Sequence, residues 1–441
     1  MNTSDNIAAP ASAIGGAVTV IRISGPDALN IGNRVWQGKT SLSDSVTRKM
    51  LLGKVGSDPA LAVYMKNPAS YTGDDVVELQ CHGGAAAAAS AMKLLFAAGC
   101  RLAEPGEFTY RAFVNGKLDL LQAEAVADII SSGSQAALDL AEKQLAGSLS
   151  SKIEKLWDDI AALRAECESR LDFPDEELDF DNTVPEKINA CAAAIKDLLE
   201  SGSAGSVIRD GVRVVLAGKP NAGKSSLLNR ILGFDRAIVS AIPGTTRDTV
   251  ESDAVIRNIP VRLTDTAGLR ESSDPVEQLG IERSFRSIRA GEVTLWLLDA
   301  SCDDPVAEAA AIDRNAPGVI AVWNKCDLVP EKILPDTGMP QVKISAATGE
   351  NLEQLFDLFE RTVFKGERIT MPEVALNARS AALLSQALET MPDACTAFDD
   401  GDFELAAMEL AVCGKHIGEI TGKNVEPDLL DKIFHRFCIG K

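Results

Sequence analysis

Apolar and polar positions follow different rhythms along this chain, and each rhythm predicts a different kind of element. From the start to about Lys117, V-T-V-I-R-I-S and L-A-V-Y-M-K alternate or run apolar like short strands, with S-G-P and Y-T-G-D-D as turn signals. A helix is predicted after Gly84, through A-A-A-A-A-S-A-M-K-L-L-F, ending at Gly99. This first segment reads as α+β. From Leu118 to about Ser206 apolar residues return every three or four places, as in A-E-A-V-A-D-I-I and I-E-K-L-W-D-D-I-A-A-L, which predicts long helices. G-S-A-G-S, Gly202 to Ser206, has the composition of a linker. Between Val207 and about Gly366 the short apolar runs V-R-V-V-L-A, V-R-L-T, V-T-L-W-L-L, G-V-I-A-V-W and Q-V-K-I-S alternate with helical stretches, the pattern of a doubly wound parallel sheet. From about Ile369 helical sequence resumes through A-A-L-L-S-Q-A-L and L-A-A-M-E-L. The simplest architecture is an all-α domain built from two separated segments, with the α/β domain inserted between them.

Composition adds limits. A length of 441 residues suggests roughly two to four domains. With 64 acidic against 44 basic residues the net charge is −20, which argues against a broad basic face for nucleic acid; any RNA must be held locally or through a partner. The cysteines number nine, are scattered and form no C-x-x-C pair, so neither a zinc site nor a disulfide framework is indicated and a reducing compartment is expected. The uncharged stretch Asn6 to Ile21 is broken by Pro10 and by Gly15 and Gly16 and follows Asp5, so it fits neither a signal peptide nor a membrane span. A cytoplasmic protein without a membrane partner is the expectation. The terminal C-I-G-K fits the prenylation rule badly. The acidic run Leu171 to Asp181 lacks the glycine and ligand spacing of a calcium loop and reads as a solvated helix junction.

The chemistry is concentrated in the inserted domain. L-A-G-K-P-N-A-G-K-S-S places Gly218, Gly223, Lys224 and Ser225 at phosphate-loop spacing directly after a predicted strand. Glycines admit the phosphate to the backbone amides, Lys224 neutralises β/γ charge, Ser225 binds Mg²⁺, and the helix starting at Lys224 turns its positive end to the anion. D-T-A-G, comprising Asp265, Thr266, Ala267 and Gly268, ends another strand, with Asp265 near Mg²⁺ and the Gly268 amide at the γ-phosphate. In N-K-C-D, Asn324, Lys325 and Asp327 follow a strand, and Asp327 can accept from guanine N1–H and the 2-amino group, a pair adenine does not offer. Ser345, Ala346 and Ala347 follow the next strand and can supply backbone donors to the guanine oxygen. All four segments fall where an open α/β sheet binds its ligand, which points to GTP. The nucleotide set also takes in Asn221, Ala222 and Ser226 of the first loop, and the intervening switch segment Ser240, Ala241, Ile242, Pro243, Gly244, Thr245 and Thr246, whose Thr246 can close over the γ-phosphate and Mg²⁺.

One expected part is missing. Leu269 follows D-T-A-G where a Ras-like enzyme has a glutamine to orient water, so another group must complete the site. Asn221 is a candidate through a monovalent cation at the place of an arginine finger, or else it only stabilises its loop. Glu277 could position water, or else it lies on a solvated helix face.

The motifs above, with V-E-Q-L-G-I-E-R after the switch, V-I-R-I-S-G-P, Y-T-G-D-D-V-V-E-L-Q-C-H-G-G, P-G-E-F-T-Y-R-A-F-V-N-G-K-L-D-L-L-Q-A-E-A-V-A-D, L-D-F-P-D-E-E-L-D-F and the terminal F-C-I-G-K, resemble the tRNA modification GTPase MnmE (TrmE) family over essentially the whole chain. The resemblance implies a multidomain fold: an N-terminal folate-binding and dimerisation domain at 1–117, helical segments at 118–206 and 369–441, and a P-loop GTPase domain at 207–368. It implies a homodimer whose two GTPase domains meet in a K⁺-dependent closure, and a heterotetramer with the FAD-dependent protein MnmG (GidA). The implied reaction installs an aminomethyl or carboxymethylaminomethyl group at carbon 5 of the wobble uridine of certain tRNAs, with a tetrahydrofolate derivative (formyl or methylene form) as one-carbon source. Carried onto this sequence, the folate contacts are Arg22, Glu78, Lys117 and Lys441; K⁺ binds Asn221, Ser240, Ile242 and Thr245; Glu277 positions water; and Cys438 is the family's C-terminal cysteine with a role in the modification chemistry. An inert Cys438 thiol stays open, and His82 reads as a loop-holding residue. S-A-I-G-G-A-V-T, before R-I-S-G, is less glycine-rich than the family pattern. The competing class is a regulatory GTP switch, for example one acting in ribosome assembly, which has no obvious need for the folate-type flank or the F-C-I-G-K tail.

Overall fold

Two sheets organise the chain, and the burial pattern of their strands explains why they differ. The computed structural model describes residues 3–172, 181–234, 251–265, 292–366, 372–423 and 425–441. These fall into two compact units, one of Met1–Ala127, Gln144–Ala194 and Ala382–Lys441, the other of Asp128–Lys143 and Ile195–Ala381.

In the first unit β1 (Ile7–Pro10), β2 (Val18–Ser24), β3 (Trp36–Gly38), β4 (Leu51–Val55), β5 (Asp58–Met65), β6 (Val76–His82) and β7 (Arg101–Leu102) form one sheet in the order β3-β4-β5-β6-β2-β1-β7. Alternate residues of β2 and β5 are buried, the period expected of strands with one face on a core. The predicted alanine-rich helix is present as Ala85–Ala97 and packs beneath β6 and β1. In the same unit the helices Ser148–Asp172 and Phe403–Thr421, far apart in sequence, lie side by side. The first buries Leu149, Ile153, Leu156, Ile160, Leu163 and Cys167, a stripe at three- and four-residue intervals that follows directly from its sequence pattern. Arg170 ends the stripe with its guanidinium over the rings of Phe398 at 4.7 Å and Phe403 at 5.3 Å.

In the second unit β8 (Val212–Gly218), β9 (Glu251–Ile256), β10 (Ile259–Asp265), β11 (Val293–Asp299), β12 (Val319–Asn324) and β13 (Gln341–Lys343) order as β13-β12-β11-β8-β10-β9. All pairs are parallel except the edge hairpin β9–β10. Central strands β8 and β12 are buried almost continuously, as required where both faces are covered. Strand β9 was not anticipated, because E-S-D-A-V-I pairs at an edge and keeps a polar face. The strand order reverses at β8, and the phosphate loop leaves its end.

The linker expected at Gly202–Ser206 is instead part of helix Val184–Asp210. Small residues are needed there for close approach: a Cβ on Gly205 would stand 2.0 Å from the Val374 oxygen. Ser206 Oγ donates to the Leu376 oxygen at 2.5 Å, further tying the helix to that segment.

A partly buried ionic network holds the edge of the first unit. Arg101 donates to Glu107 Oε2 at 2.8 Å and to Asp5 Oδ2 at 2.7 Å, while the fully buried Arg111 reaches Glu107 Oε1 at 3.0 Å and the Asp5 oxygen at 2.9 Å. Burial pushes the Glu107 carboxyl up, but hydrogen bonds from Arg101, the Glu104 amide and Arg111 outweigh it and leave its pKa below the ordinary glutamate value. Glu107→Gln leaves two guanidiniums short of charge, so a loss of about 3 kcal/mol in urea unfolding at pH 7 is expected. A lowered folded-state pKa gives stability that is present above the unfolded value, about 4.3, and is lost as pH falls through the folded one. The gap between wild type and Glu107→Gln therefore narrows below about pH 4; a gap independent of pH would show that the Glu107 charge is not what stabilises the network.

Candidate functional site

The phosphate loop joins β8 to helix Lys224–Phe234, and its backbone is set by residues of positive φ: Gly218 at 136°, Asn221 at 63° and Gly223 at 96°. Gly223 admits no side chain, since a Cβ would meet Asn324 Nδ2 at 2.1 Å. Lys224 is buried and donates through Nζ to the main-chain oxygens of Gly218 and Lys219, each at 2.9 Å. Ala222 is buried, whereas Asn221, Ser225 and Ser226 are exposed at the loop and the first helical turn.

The base-side segments meet this loop through one side chain. Asn324, 2% exposed at the end of β12, donates from Nδ2 to the Ala222 oxygen at 2.8 Å and accepts at Oδ1 from the Ala346 amide at 2.9 Å. The Ala346 amide, offered by sequence to the guanine, is thus engaged within the protein. Ser345 and Ala346 are buried and Ala347 is exposed; Ser345 Oγ accepts from the Thr348 amide at 3.1 Å, and Arg230 Nε donates to the Ala346 oxygen at 3.0 Å. Lys325 adopts the left-handed conformation and its Nζ pairs with Asp299 Oδ2 at 2.5 Å. This turn hands the chain to the short helix Cys326–Leu328, where Asp327 is exposed. Asp265 ends β10 opposite Leu216 of β8; its side chain lies outside the described residues. The same holds for Ser240, Ala241, Ile242, Pro243, Gly244, Thr245, Thr246, Thr266, Ala267, Gly268, Leu269 and Glu277.

A second polar site lies in the first unit. Arg22 of β2 faces Glu78 of β6 across the sheet, and its Nε donates to Glu78 Oε1 at 2.9 Å. Its guanidinium stands 5.1 Å from the Tyr71 ring and 5.6 Å from the Phe108 ring. Burial pushes the Tyr71 phenol up, and its hydroxyl lies 2.8 Å from Thr109 Oγ1. Lys441 joins the same place through its main chain, accepting from the Phe108 amide at 3.1 Å. Lys117 Nζ donates to the Pro68 oxygen at 3.1 Å, on the loop that carries Tyr71. Cys438 is exposed, and its oxygen accepts from the Gly106 amide at 3.4 Å. His82, on the exposed end of β6, places Nδ1 2.5 Å from Asp58 Oδ1 and fits a loop-holding role.

Residues 6–117 match the model of the GTP-binding protein TrmE N-terminus, and residues 120–438 match that of the MnmE helical domain. The tRNA modification GTPase MnmE of Clostridioides difficile (strain 630) is 39% identical over 99% of this chain and 99% of its own. The chain belongs to the tRNA modification GTPase MnmE family. Another member, from Synechococcus sp. (strain JA-3-3Ab), is 41% identical over 99% of this chain and 98% of its own. Among solved structures, the G domain of the T. maritima FeoB iron transporter is similar over 36% of this chain and 99% of its own, at 24% identity and a TM-score of 0.26.

Within this MnmE-family GTPase, three side chains with evident work were not among the site residues read from the sequence, although Tyr71 and Phe108 stand inside Y-T-G-D-D and P-G-E-F-T-Y. Tyr71 and Phe108 form the aromatic wall beside Arg22, and Asp299 holds Lys325. Asp299 was detectable only as an acid closing the apolar run V-T-L-W-L-L. Gly223→Ala is expected to cost about 3 kcal/mol of nucleotide affinity, roughly 100-fold, by straining φ and displacing the Asn324 amide. Titration with fluorescent GDP checks this, and affinity within threefold of wild type would show the loop can yield.

Proposed function

We propose that this chain is the GTP-hydrolysing component of a complex that modifies carbon 5 of the wobble uridine of certain tRNAs. The observation that carries the reading is the Asn324 clamp, which brings phosphate-loop and base-loop segments to one sheet edge in a chain about 40% identical end to end to tRNA modification GTPases. The residues fit a guanine nucleotide: Gly223 gives the loop its positive φ and leaves room for the Asn324 amide, Lys224 keeps its ammonium at the loop where it can donate to phosphate oxygens, and Asp327 offers a carboxylate for the base. Mg²⁺, when bound, neutralises phosphate charge. Ser225 stands in the right turn to hold it, with Thr246 as the proposed second ligand.

With Leu269 unable to orient water, Glu277 takes that part and K⁺ completes the site, held by Asn221 with Ser240, Ile242 and Thr245. Support for the K⁺ role is the left-handed, exposed placement of Asn221 on the phosphate loop. In the first unit the proposed ligand is a tetrahydrofolate derivative. An aromatic wall of Tyr71 and Phe108 beside the Arg22–Glu78 pair suits a flat ring with an amide edge, and Lys117 and Lys441 suit its carboxylates. The proposal further takes residues 1–117 as the dimerisation domain, 118–206 and 369–441 as the helical domain, 207–368 as the GTPase domain, and Cys438 as a participant in the modification. A homodimer joined by MnmG in the cytoplasm, with tRNA as substrate, completes it; among the described residues no helix is long and apolar enough to cross a membrane.

Two measurements test the reading. Steady-state GTPase rates in matched KCl and NaCl should differ about tenfold or more for wild type, a difference of 1.4 kcal/mol in barrier, and converge for Asn221→Ala; equal wild-type rates would remove K⁺ from the mechanism. In equilibrium dialysis Glu78→Gln should bind formyl-tetrahydrofolate roughly tenfold more weakly than wild type, since it removes a charged acceptor; undiminished binding would place the folate elsewhere.

A further inference from the structure

We propose that Glu308 is a positioning residue for the phosphate loop, acting through Lys219; the proposal rests on the reading of residues 218–225 as the phosphate site. Lys219 is the second residue of that loop, and its Nζ donates to Glu308 Oε2 at 2.5 Å. Glu308 belongs to helix Pro305–Ala310, outside every nucleotide motif of the sequence, and its carboxylate is buried while the Lys219 side chain is half exposed. That helix is itself fixed, because Asp304 caps it by accepting from the Val306 and Ala307 amides.

The same lysine is tied at its other end to the catalytic part of the loop. The Lys219 main-chain oxygen accepts from Lys224 Nζ at 2.9 Å. Glu308 therefore fixes by side chain the residue whose carbonyl orients the phosphate-binding lysine. One segment, running from Asp299 to Glu308, thereby reaches both halves of the site with carboxylates: Asp299 to Lys325 on the base side, Glu308 to Lys219 on the phosphate side. The Glu308 hydrogen bond also holds the Lys219 ammonium above its ordinary pKa. A brace of this kind acts on ground state and transition state alike, so its loss falls on KM more than on kcat.

The test uses the full chain with Glu308→Gln, Lys219→Met, the two combined, and the exchanged pair Lys219→Glu with Glu308→Lys. Each single variant is expected to raise the KM for GTP and the Kd for fluorescent GDP about fivefold, the scale of a charge-assisted bond that is partly screened. The combined variant should be no worse than either single one, and the exchanged pair should regain most of the loss. Effects that multiply in the combined variant overturn the proposal. So does a loss carried by kcat at wild-type KM, which is the mark of a smaller folded fraction. If Glu308→Gln folds poorly, Lys219→Met at its half-exposed position carries the test, and a wild-type KM there is decisive against it. Lys224→Ala separates this outcome from the parent reading: nucleotide binding at wild-type strength in that variant would refute the phosphate site itself, whatever Glu308 does.

Discussion

The side-chain amide of Asn324 has both ends committed inside the protein, Nδ2 to the phosphate loop and Oδ1 to the segment that follows β13. At 2% exposure no water replaces either partner, and each bond left unmade costs about 1–3 kcal/mol. The rest of the nucleotide site follows from that constraint. Gly223 is a glycine because the amide nitrogen occupies the place a Cβ would need. The two loops keep a fixed relation without help from a ligand, which lowers what must be ordered on binding. Lys224 rests meanwhile on two carbonyls, so its charge stays satisfied in a buried position.

How much of this could be read in the sequence depends on how local the chemistry is. The phosphate loop needs glycines, a lysine and a serine at fixed spacing after a strand, so Gly218 to Ser225 announce themselves. Asn324 announced a base-binding segment but not its clamp, because its partners lie 102 and 22 positions away. Arg22 and Glu78 are 56 positions apart and look like ordinary surface charges. Only family resemblance singled them out, and even that gave no role to Tyr71 and Phe108, which lie inside the matching segments. The helix through Gly202 and Gly205 failed for a different reason. Glycine is ambiguous between freedom and close packing, and here the neighbouring segment at 374–376 decides for packing.

In the first unit an ion network centred on the buried Arg111 and Glu107 does what the Asn324 clamp does in the second, with charge in place of a neutral amide. Glu107, Arg101, Arg111 and Asp5 join the chain's early residues to helix Glu107–Val114. That helix in turn carries Phe108, whose ring faces Arg22 and whose amide holds Lys441. Polar specificity inside the unit is thus built from parts that no hydrophobic pattern would bring together.

The position of residues 434–441 bears on how the protein is made. Phe434 packs edge-on to Tyr110 at 5.3 Å and against Phe113 at 6.2 Å, and the oxygens of Cys438 and Lys441 take the amide hydrogens of Gly106 and Phe108. A ribosome delivers the sheet of the first unit early, long before these partners emerge. Until residues 434–441 are made, the rings of Tyr110 and Phe113 and the amides of Gly106 and Phe108 lack their native partners. The contacts around Tyr110 and Phe108 are thus completed only when residues 434–441 have been translated.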